Sequence, residues 1–424
     1  MKTFKLEATE KQALLERFLR YVQIDTQSDE SSTSSPSTEK QKDLGRVLVQ
    51  ELHALGCTDA AMDAWGYVTA TVPGNLPPIH AQVPTVGFLA HLDTYPDTPG
   101  GGVKPQVIRD YRGGDIALAG TPEQPLRVAK NPNLARCLGH TIITTDGTTL
   151  LGADDKAGIA IIMTLVDWLK THPEVPHGTL RIGFTPDEEV GHGADHFDVA
   201  AFGAKYAYTV DGAELGEIED ESFCADSAYV TITGHDTHPG HAKGTMINAV
   251  RVAAALIERL PQAHLPETTA GRESFLHPHH LSGGTAQAEL KLLVRAFSEE
   301  ELAAREADLR AAAQDVQSRF PGSDVRIEIK PSYRNMGIKI AEDPKVLDYA
   351  LEAITRQGIT PLRKAIRGGT DGSRLSYMGL LTPNLFDGAQ SYHSVHEWVS
   401  LEWMAASVEC CLQTVQVWVE KSGN

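Results

Sequence analysis

Residues 149–184 read TLLGADDKAGIAIIMTLVDWLKTHPEVPHGTLRIGF. The spacing predicts a strand-like start at Thr149–Leu151, a helix over Gly158–Lys170 and a second strand over Thr179–Phe184. Outward from this unit the alternation continues. Val68–Val72, Thr85–Ala90 and Tyr206–Val210 are short apolar runs of strand type, whereas Glu10–Ile24 and Lys40–Leu55 carry apolar residues at helical spacing. Strands alternating with helices predict an α/β sheet covered by helices on its faces. After about Gly216 the order changes to strand Ser227–Thr233, helix Met246–Leu260, strand Ala288–Phe297, helix Glu299–Arg319 and strand Asp324–Ile329. Two strand-helix units and a closing strand suggest an open-faced α+β sandwich. Near Pro344 the α/β style returns, with a helix over Lys345–Arg356, short strands at Ala365–Ile366 and Pro383–Phe386, and a last helix over Leu401–Lys421. The simplest organisation is a catalytic domain of residues 1–216 and 335–424, interrupted by a lid of residues 217–334.

Composition excludes several classes. The 424 residues carry 38 Lys and Arg against 56 Asp and Glu, a net charge of −18. That field repels nucleic acid, and no Lys/Arg run offers a local patch. Divalent cations or positively charged substrate groups are better matched partners. Apolar stretches such as Gly158–Val166 fall short of the roughly 18 residues of a membrane span. The charged start, Met1–Arg20, has no secretory apolar region, so the cytoplasm is expected. Five cysteines without CxxC spacing read as buried or free thiols.

The acids and histidines collect at strand ends. Phe88–Thr94 delivers His91 and, two residues on, Asp93; side chains at i and i+2 of a strand share a face. A zinc-bound imidazole needs such a partner for its second nitrogen, although a turn His beside a turn Asp fits the same spacing. Asp154 and Asp155 stand at a strand-to-helix junction, where either a cation or the helix N-terminus can neutralise them. Asp187, Glu188 and Glu189 follow a buried-looking strand, and Asp211 ends another. Tyr392–Glu397 adds His393 and His396. In open α/β sheets ligands bind outside the carboxyl ends of the strands, where these groups lie. Imidazole and carboxylate without thiolate suit zinc, manganese or cobalt in a hydrolytic site.

Seven stretches together resemble the di-zinc exopeptidases, the family of tripeptide aminopeptidases, aminoacylases, succinyl-diaminopimelate desuccinylase and glutamate carboxypeptidases. They are YRGGDIAL (111–118), TTDGTTLLGADDKAGIA (144–160), FTPDEEVG (184–191), AYTVDG (207–212), HPGHAKG (238–244), IRGGTDGSRLSYMG (366–379) and YHSVHEW (392–398). The resemblance runs from the first helix to the last and is nearest to the tripeptide aminopeptidase branch. It implies a mixed-sheet catalytic domain with an inserted ferredoxin-like lid. It also implies two Zn2+ ions, with Mn2+ or Co2+ as substitutes: His91 and Asp211 on one, Glu189 and His393 on the other, and Asp154 between them. Asp93 would orient His91, and Glu188 would be the general base for a water bridging the metals. The bond Asp154-Asp155 would be cis, as in the family. His238 would stabilise the oxyanion; Asn248, Arg295, Arg367 and Gly369 would contact substrate. His235 and His241 flank His238 where the family pattern has a single His, and Ala296 stands where its tripeptidases have Asp.

The implied reaction is hydrolysis of the N-terminal peptide bond of tripeptides, with a dipeptidase or an N-acyl amino acid deacylase as the alternative on the same metal site. Partners would be small peptides, with no nucleic acid and no membrane; a homodimer through the lid is compatible with the family. His277, His279, His280 and His396 read as surface or loop residues, and the Ser-rich stretch Ser31–Ser37 as a variable surface insertion.

Overall fold

The computed structural model describes residues 3–77 and 82–422. Among these, strands fall in chain order as β1 (Ala61–Met62), β2 (Val68–Val72), β3 (Val86–His91), β4 (Gln106–Ile108), β5 (Ile142–Thr144), β6 (Leu180–Thr185), β7 (Tyr206–Gly212), β8 (Glu217–Ser222), β9 (Cys224–Thr233), β10 (Phe275–Gly283), β11 (Gln287–Ala296), β12 (Asp324–Tyr333), β13 (Leu362–Ile366), β14 (Asn384–Phe386) and β15 (Trp398–Ser400). The helices are α1 (Ala8–Val22), α2 (Gln41–Ala54), α3 (Ala153–Thr171), α4 (Val199–Phe202), α5 (Ala249–Arg259), α6 (Glu299–Arg319), α7 (Met336–Ile340), α8 (Lys345–Arg356), α9 (Asp371–Tyr377) and α10 (Leu401–Ser422).

Two compact units result: Met1–Asp220 with Ile338–Lys364 and Thr370–Asn424, and Glu221–Gly337 with Ala365–Gly369. The segment Ala365–Gly369, grouped with the catalytic domain from sequence, thus goes with the second unit. The first unit holds an eight-stranded mixed sheet in the order β1-β2-β6-β3-β7-β14-β8-β13. At its centre β3 runs parallel to β6 and β7, and every residue of β3 is buried. Burial on both faces explains why this strand reads as continuous Val, Phe, Leu and Ala without alternation. Helix α3 is apolar all round and touches β3, β7, α1 and α10; a helix of that composition belongs inside. Gly158 permits this packing, since a Cβ there would lie 2.0 Å from the Val210 carbonyl oxygen.

β14 pairs in parallel with β7 and antiparallel with β8, so a strand from the last tenth of the chain sits inside the sheet. A small sheet, β15-β5-β4, packs Trp398, Trp403 and Ile142 with Tyr111 and Leu118. Its strands are three residues long and carry no usable period, which is why the sequence did not announce them; Thr149–Leu151, expected as strand, forms none.

The second unit orders its antiparallel strands β10-β11-β9-β12, with α5 and α6 packed on them. The chain order βαββαβ is the ferredoxin-like arrangement. One strand was missed: β10 contains His277, His279 and His280, read as loop residues. It is an edge strand with a register shift at Pro278/His280, and Pro is tolerated at an edge or a bulge. Asn248 starts α5 three residues later than expected by accepting the amides of Val250 and Arg251 on its side-chain oxygen.

Among the described residues no helix is long and apolar enough to cross a membrane. The five cysteines are buried and unpaired. Burial pushes the Cys57 thiol up to about 11 and those of Cys137 and Cys411 up to about 12. Raised thiol values leave little thiolate below them. Ellman's reagent at mildly alkaline pH should therefore react slowly with the native chain but promptly with all five thiols in concentrated guanidinium; prompt reaction of the native chain would contradict this burial.

Candidate metal centre

Three strands, the head of one helix and one loop deliver the cluster. β3 ends on His91, β7 presents Asp211 one residue from its end, and β6 runs into the short turn of Glu188–Val190. The pairing Leu89↔Thr209 places His91 beside Asp211 two residues further along. Asp154 comes from the start of α3, where Asp154 (φ −81°, ψ 103°) and Asp155 (φ −120°, ψ 36°) are non-helical and the bond between them is cis, as expected. His393 sits at φ 61°. Its carbonyl accepts a hydrogen bond from the Thr98 hydroxyl at 2.8 Å, and its ring stacks on Tyr95 at 4.1 Å and 4°.

Asp154 is the middle of the cluster. Its Oδ1 lies 2.9 Å from His91 Nε2, and its Oδ2 lies 3.2 Å from His393 Nε2. His91 Nε2 is also 3.6 Å from Asp211 Oδ1, and His393 Nε2 is 2.9 Å from Glu189 Oε2. Two groups that could hold a metal ion follow, His91–Asp154–Asp211 and Asp154–Glu189–His393, each with ligand atoms within 4.8 Å of one another. They share Asp154.

Without a cation the electrostatics are unfavourable. Burial, reinforced by Asp154, pushes the Glu189 carboxyl up to about 8, and burial raises Asp211 to about 6. Burial would lower His393, but hydrogen bonds to Asp154 and Glu189 hold it at about 10. Glu189 Oε1 is buried with no hydrogen-bond partner. An orphaned oxygen on a carboxylate that meets an imidazole is a cation ligand in chemical type, and nitrogen and oxygen donors without thiolate fit zinc-class ions.

The supports are mostly carboxylates that accept main-chain amides. Asp93 is fully buried and takes the amide of Glu188 on Oδ1 at 3.0 Å and that of Glu189 on Oδ2 at 3.2 Å. His91 Nδ1 donates to the main-chain carbonyl of Asp93 at 3.0 Å and stands 3.4 Å from its Oδ1. Asp93 therefore fixes the Glu188–Glu189 turn as well as the imidazole. Asp155 accepts the His91 amide at 3.1 Å and the Gly158 amide at 3.1 Å. Glu397 accepts three amides of the Leu151–Asp154 turn. Asp371 takes the Thr185 hydroxyl at 2.6 Å, and the Arg374 guanidinium bonds the Gly191 carbonyl and Asp195. Sequence reasoning missed Asp155, Glu397 and Asp371 in these roles; only the closeness of Glu397 to His393 in sequence hinted at one.

The Ser-rich stretch is a further correction. Ser37 donates through its amide (2.7 Å) and hydroxyl (2.5 Å) to Asp187, which also receives Gln41 Nε2 at 2.6 Å. It anchors the residue preceding Glu188 instead of forming a bare surface insertion.

His238, Asn248, Arg295, Arg367 and Gly369 belong to the second unit. His238 is exposed and its Nδ1 accepts the Gly240 amide at 3.1 Å. Arg295 donates through Nη1 to the carbonyls of Asp226 and Val294 and lies over Tyr333. The Arg367 guanidinium is engaged within the unit, donating to the carbonyls of Gly271 and Glu273 and to the Thr269 hydroxyl. Gly369 packs on the Tyr333 ring, 2.7 Å from where its Cβ would be.

A model of peptidase family M20/M25/M40 matches residues 145–417. The chain belongs to this family and is a peptidase. It is 48% identical over 412 residues to a peptidase T of Geobacillus thermodenitrificans (strain NG80-2), covering 97% of this chain and 100% of that protein. To a peptidase T of Shouchella clausii (strain KSM-K16) it is 49% identical over 398 residues, covering 94% and 96%. Among solved structures, the aminopeptidase PepT of Bacillus cereus ATCC 10987 matches with a TM-score of 0.75 at 24% identity, over 96% of this chain and 98% of that one. A dinuclear metal-binding peptidase of the M20 family from Bacillus subtilis matches at 0.66 and 14% identity, over 98% and 99%. At those identities the likeness is one of fold.

Ser37→Ala removes one of the three donors to Asp187 and leaves the residue-37 amide and Gln41 Nε2 in place. One hydrogen bond is worth about 0.5–1.5 kcal/mol, so urea unfolding should shift by that amount with an unchanged slope; no shift would remove this anchor from the loop.

Proposed function

We propose that this chain is a two-metal aminopeptidase that releases the N-terminal residue of tripeptides. One observation carries the reading: the two oxygens of Asp154 face different histidines, so a single carboxylate serves two metal groups. The near full-length likeness to proteins named peptidase T supports the substrate class. His91, Asp154 and Asp211 would hold one ion and Asp154, Glu189 and His393 the other. Zinc is the choice of the donor set, with manganese or cobalt as substitutes. Bound there, the ions would supply Lewis acidity for the scissile carbonyl and for the attacking water.

Glu188 is assigned the proton transfer. Its neighbour Glu189 is committed to the metal group, whereas Glu188 is placed by its amide on Asp93 with its carboxyl left for chemistry. Burial, with Asp211, Asp371 and Glu189 adding to it, holds that carboxyl well above the usual range. A carboxyl raised in this way holds a proton more readily than an ordinary one, as a group that takes a proton from water and returns it to the leaving amine must. In the same reading His238 stabilises the oxyanion and Arg295 with Asn248 holds the peptide carboxylate, as the family resemblance implies. Arg367 and Gly369 would shape the pocket wall. Five free thiols suit a reducing compartment, the cytoplasm.

Chelation followed by zinc should restore cleavage of a free-amine tripeptide and leave its N-acetyl form and the matching dipeptide untouched. Preference for either of the latter would move the chain to deacylase or dipeptidase chemistry. Glu188→Gln should lower kcat by about 10²–10⁴-fold with zinc content unchanged; retained turnover would take the proton-transfer role from Glu188.

A further inference from the structure

Glu397 has no part in the reaction proposed above, yet its surroundings are unusual. It is 1% exposed. Its Oε2 accepts the amides of Leu151 at 2.7 Å and Gly152 at 2.8 Å, and its Oε1 accepts the amide of Asp154 at 3.0 Å. Three main-chain donors thus converge on one carboxylate at the head of α3, and one of them belongs to the shared metal ligand.

The other end of Glu397 is equally fixed. Gln390 and Trp398 exchange both main-chain hydrogen bonds, at 2.9 and 3.0 Å, and close the loop that carries His393. Asn131 holds that loop from beneath, its Oδ1 receiving the Ser391 hydroxyl at 2.5 Å and Trp398 Nε1 at 3.2 Å. The Glu397 amide donates to the Ser394 carbonyl at 3.2 Å. His393 and the Glu397 carboxylate are therefore mounted on one closed loop, and that carboxylate grips the turn holding Asp154.

We infer that Glu397 is a positioning residue that sets Asp154 in register with His393 and so couples the two metal groups. The inference rests on the two-metal reading. Asp154 Oδ2 faces His393 and Oδ1 faces His91, so with the turn held by Glu397 whatever orders one oxygen orders the other. Two ions held by these residues would load as a coupled pair, and loosening the turn would weaken both. A carboxylate suits this task because it has only acceptors; an amide in its place turns an N–H toward one of the three main-chain donors whichever way it faces.

The test is zinc binding to the full chain, read by competition with a chromophoric chelator, for wild type, Glu397→Gln and Glu409→Gln. Glu409 is also a buried carboxylate accepting a main-chain amide, that of Leu6 at 2.9 Å, but it stands in α10 and reports loss of structure alone. Glu397→Gln should weaken both zinc ions by about 10–100-fold, the usual cost of losing a group that orients a metal ligand. It should also lower kcat with little change in the tripeptide KM. Glu409→Gln should lower the melting temperature and leave zinc affinity alone. Wild-type zinc affinity in Glu397→Gln, or loss of only one ion, overturns the inference and leaves the two-metal reading standing. A wild type that takes up fewer than two ions sinks both. Should Glu397→Gln fail to fold, hydrogen exchange on the metal-free wild type decides: the amides of Leu151, Gly152 and Asp154 should be protected, and rapid exchange there rules out a turn held in advance of the metal.

Discussion

The placing of Asp154 between two imidazoles, with further carboxylates crowded around it, is the constraint from which the rest of the first unit follows. Like charges gathered in a protein interior are costly, several kcal/mol per ion even after relaxation. The chain answers with two histidines, and the cations proposed above would complete the arrangement. Burial raises Glu189 and Asp211, the direction expected of carboxyls that the protein alone does not fully satisfy. A site that was comfortable when empty would have less affinity to offer.

The supports show how such a site stays available. Asp93, Asp155 and Glu397 are held by main-chain amides of the very turns that carry Glu188, Glu189, His91 and Asp154. Amides fix a carboxylate by direction without cancelling its charge, whereas an arginine fork would do both and compete with the metal. Lys156 illustrates the exclusion. It is buried near the cluster, but its ammonium donates to the Ile24 carbonyl at 2.7 Å and touches none of the ligands. Arginine is used further out, as in the bracing of Gly191 and Asp195 by Arg374, where it sets the position of a loop and not the charge of the centre.

Much of this was legible in the chain. Of the candidate ligand residues, His91 and Asp211 stand at strand ends, and strand ends in an α/β sheet converge whatever the details of packing; these two needed only the period of two and the alternation of elements. The ferredoxin-like order of the second unit was readable from its two long helices, except for β10, where Pro278 and three histidines hid an edge strand. Glu397, Asp155 and Asp371 were not legible, because accepting a main-chain amide requires only that the amide arrive, and nothing in the local sequence of an acid records that arrival. The anchoring of Asp187 by Ser37 was hidden for the opposite reason: a run of serines looks like solvent-facing loop until its partner, 150 residues away, is known.

The position of β14 has a consequence for the order in which this protein can be made. Strands β7 and β8 are complete when roughly half the chain has been synthesised, but the strand that separates and pairs both of them spans Asn384–Phe386. Until it emerges, the nascent sheet carries two open edges, the exposed hydrogen-bonding rows along which unfinished chains join one another. His393 follows seven residues after that strand, so the last member of the two candidate metal groups arrives with the strand that closes the sheet. A chain halted before β14 would lack both that strand and His393, so the final tenth of the sequence completes the sheet and the candidate metal groups together.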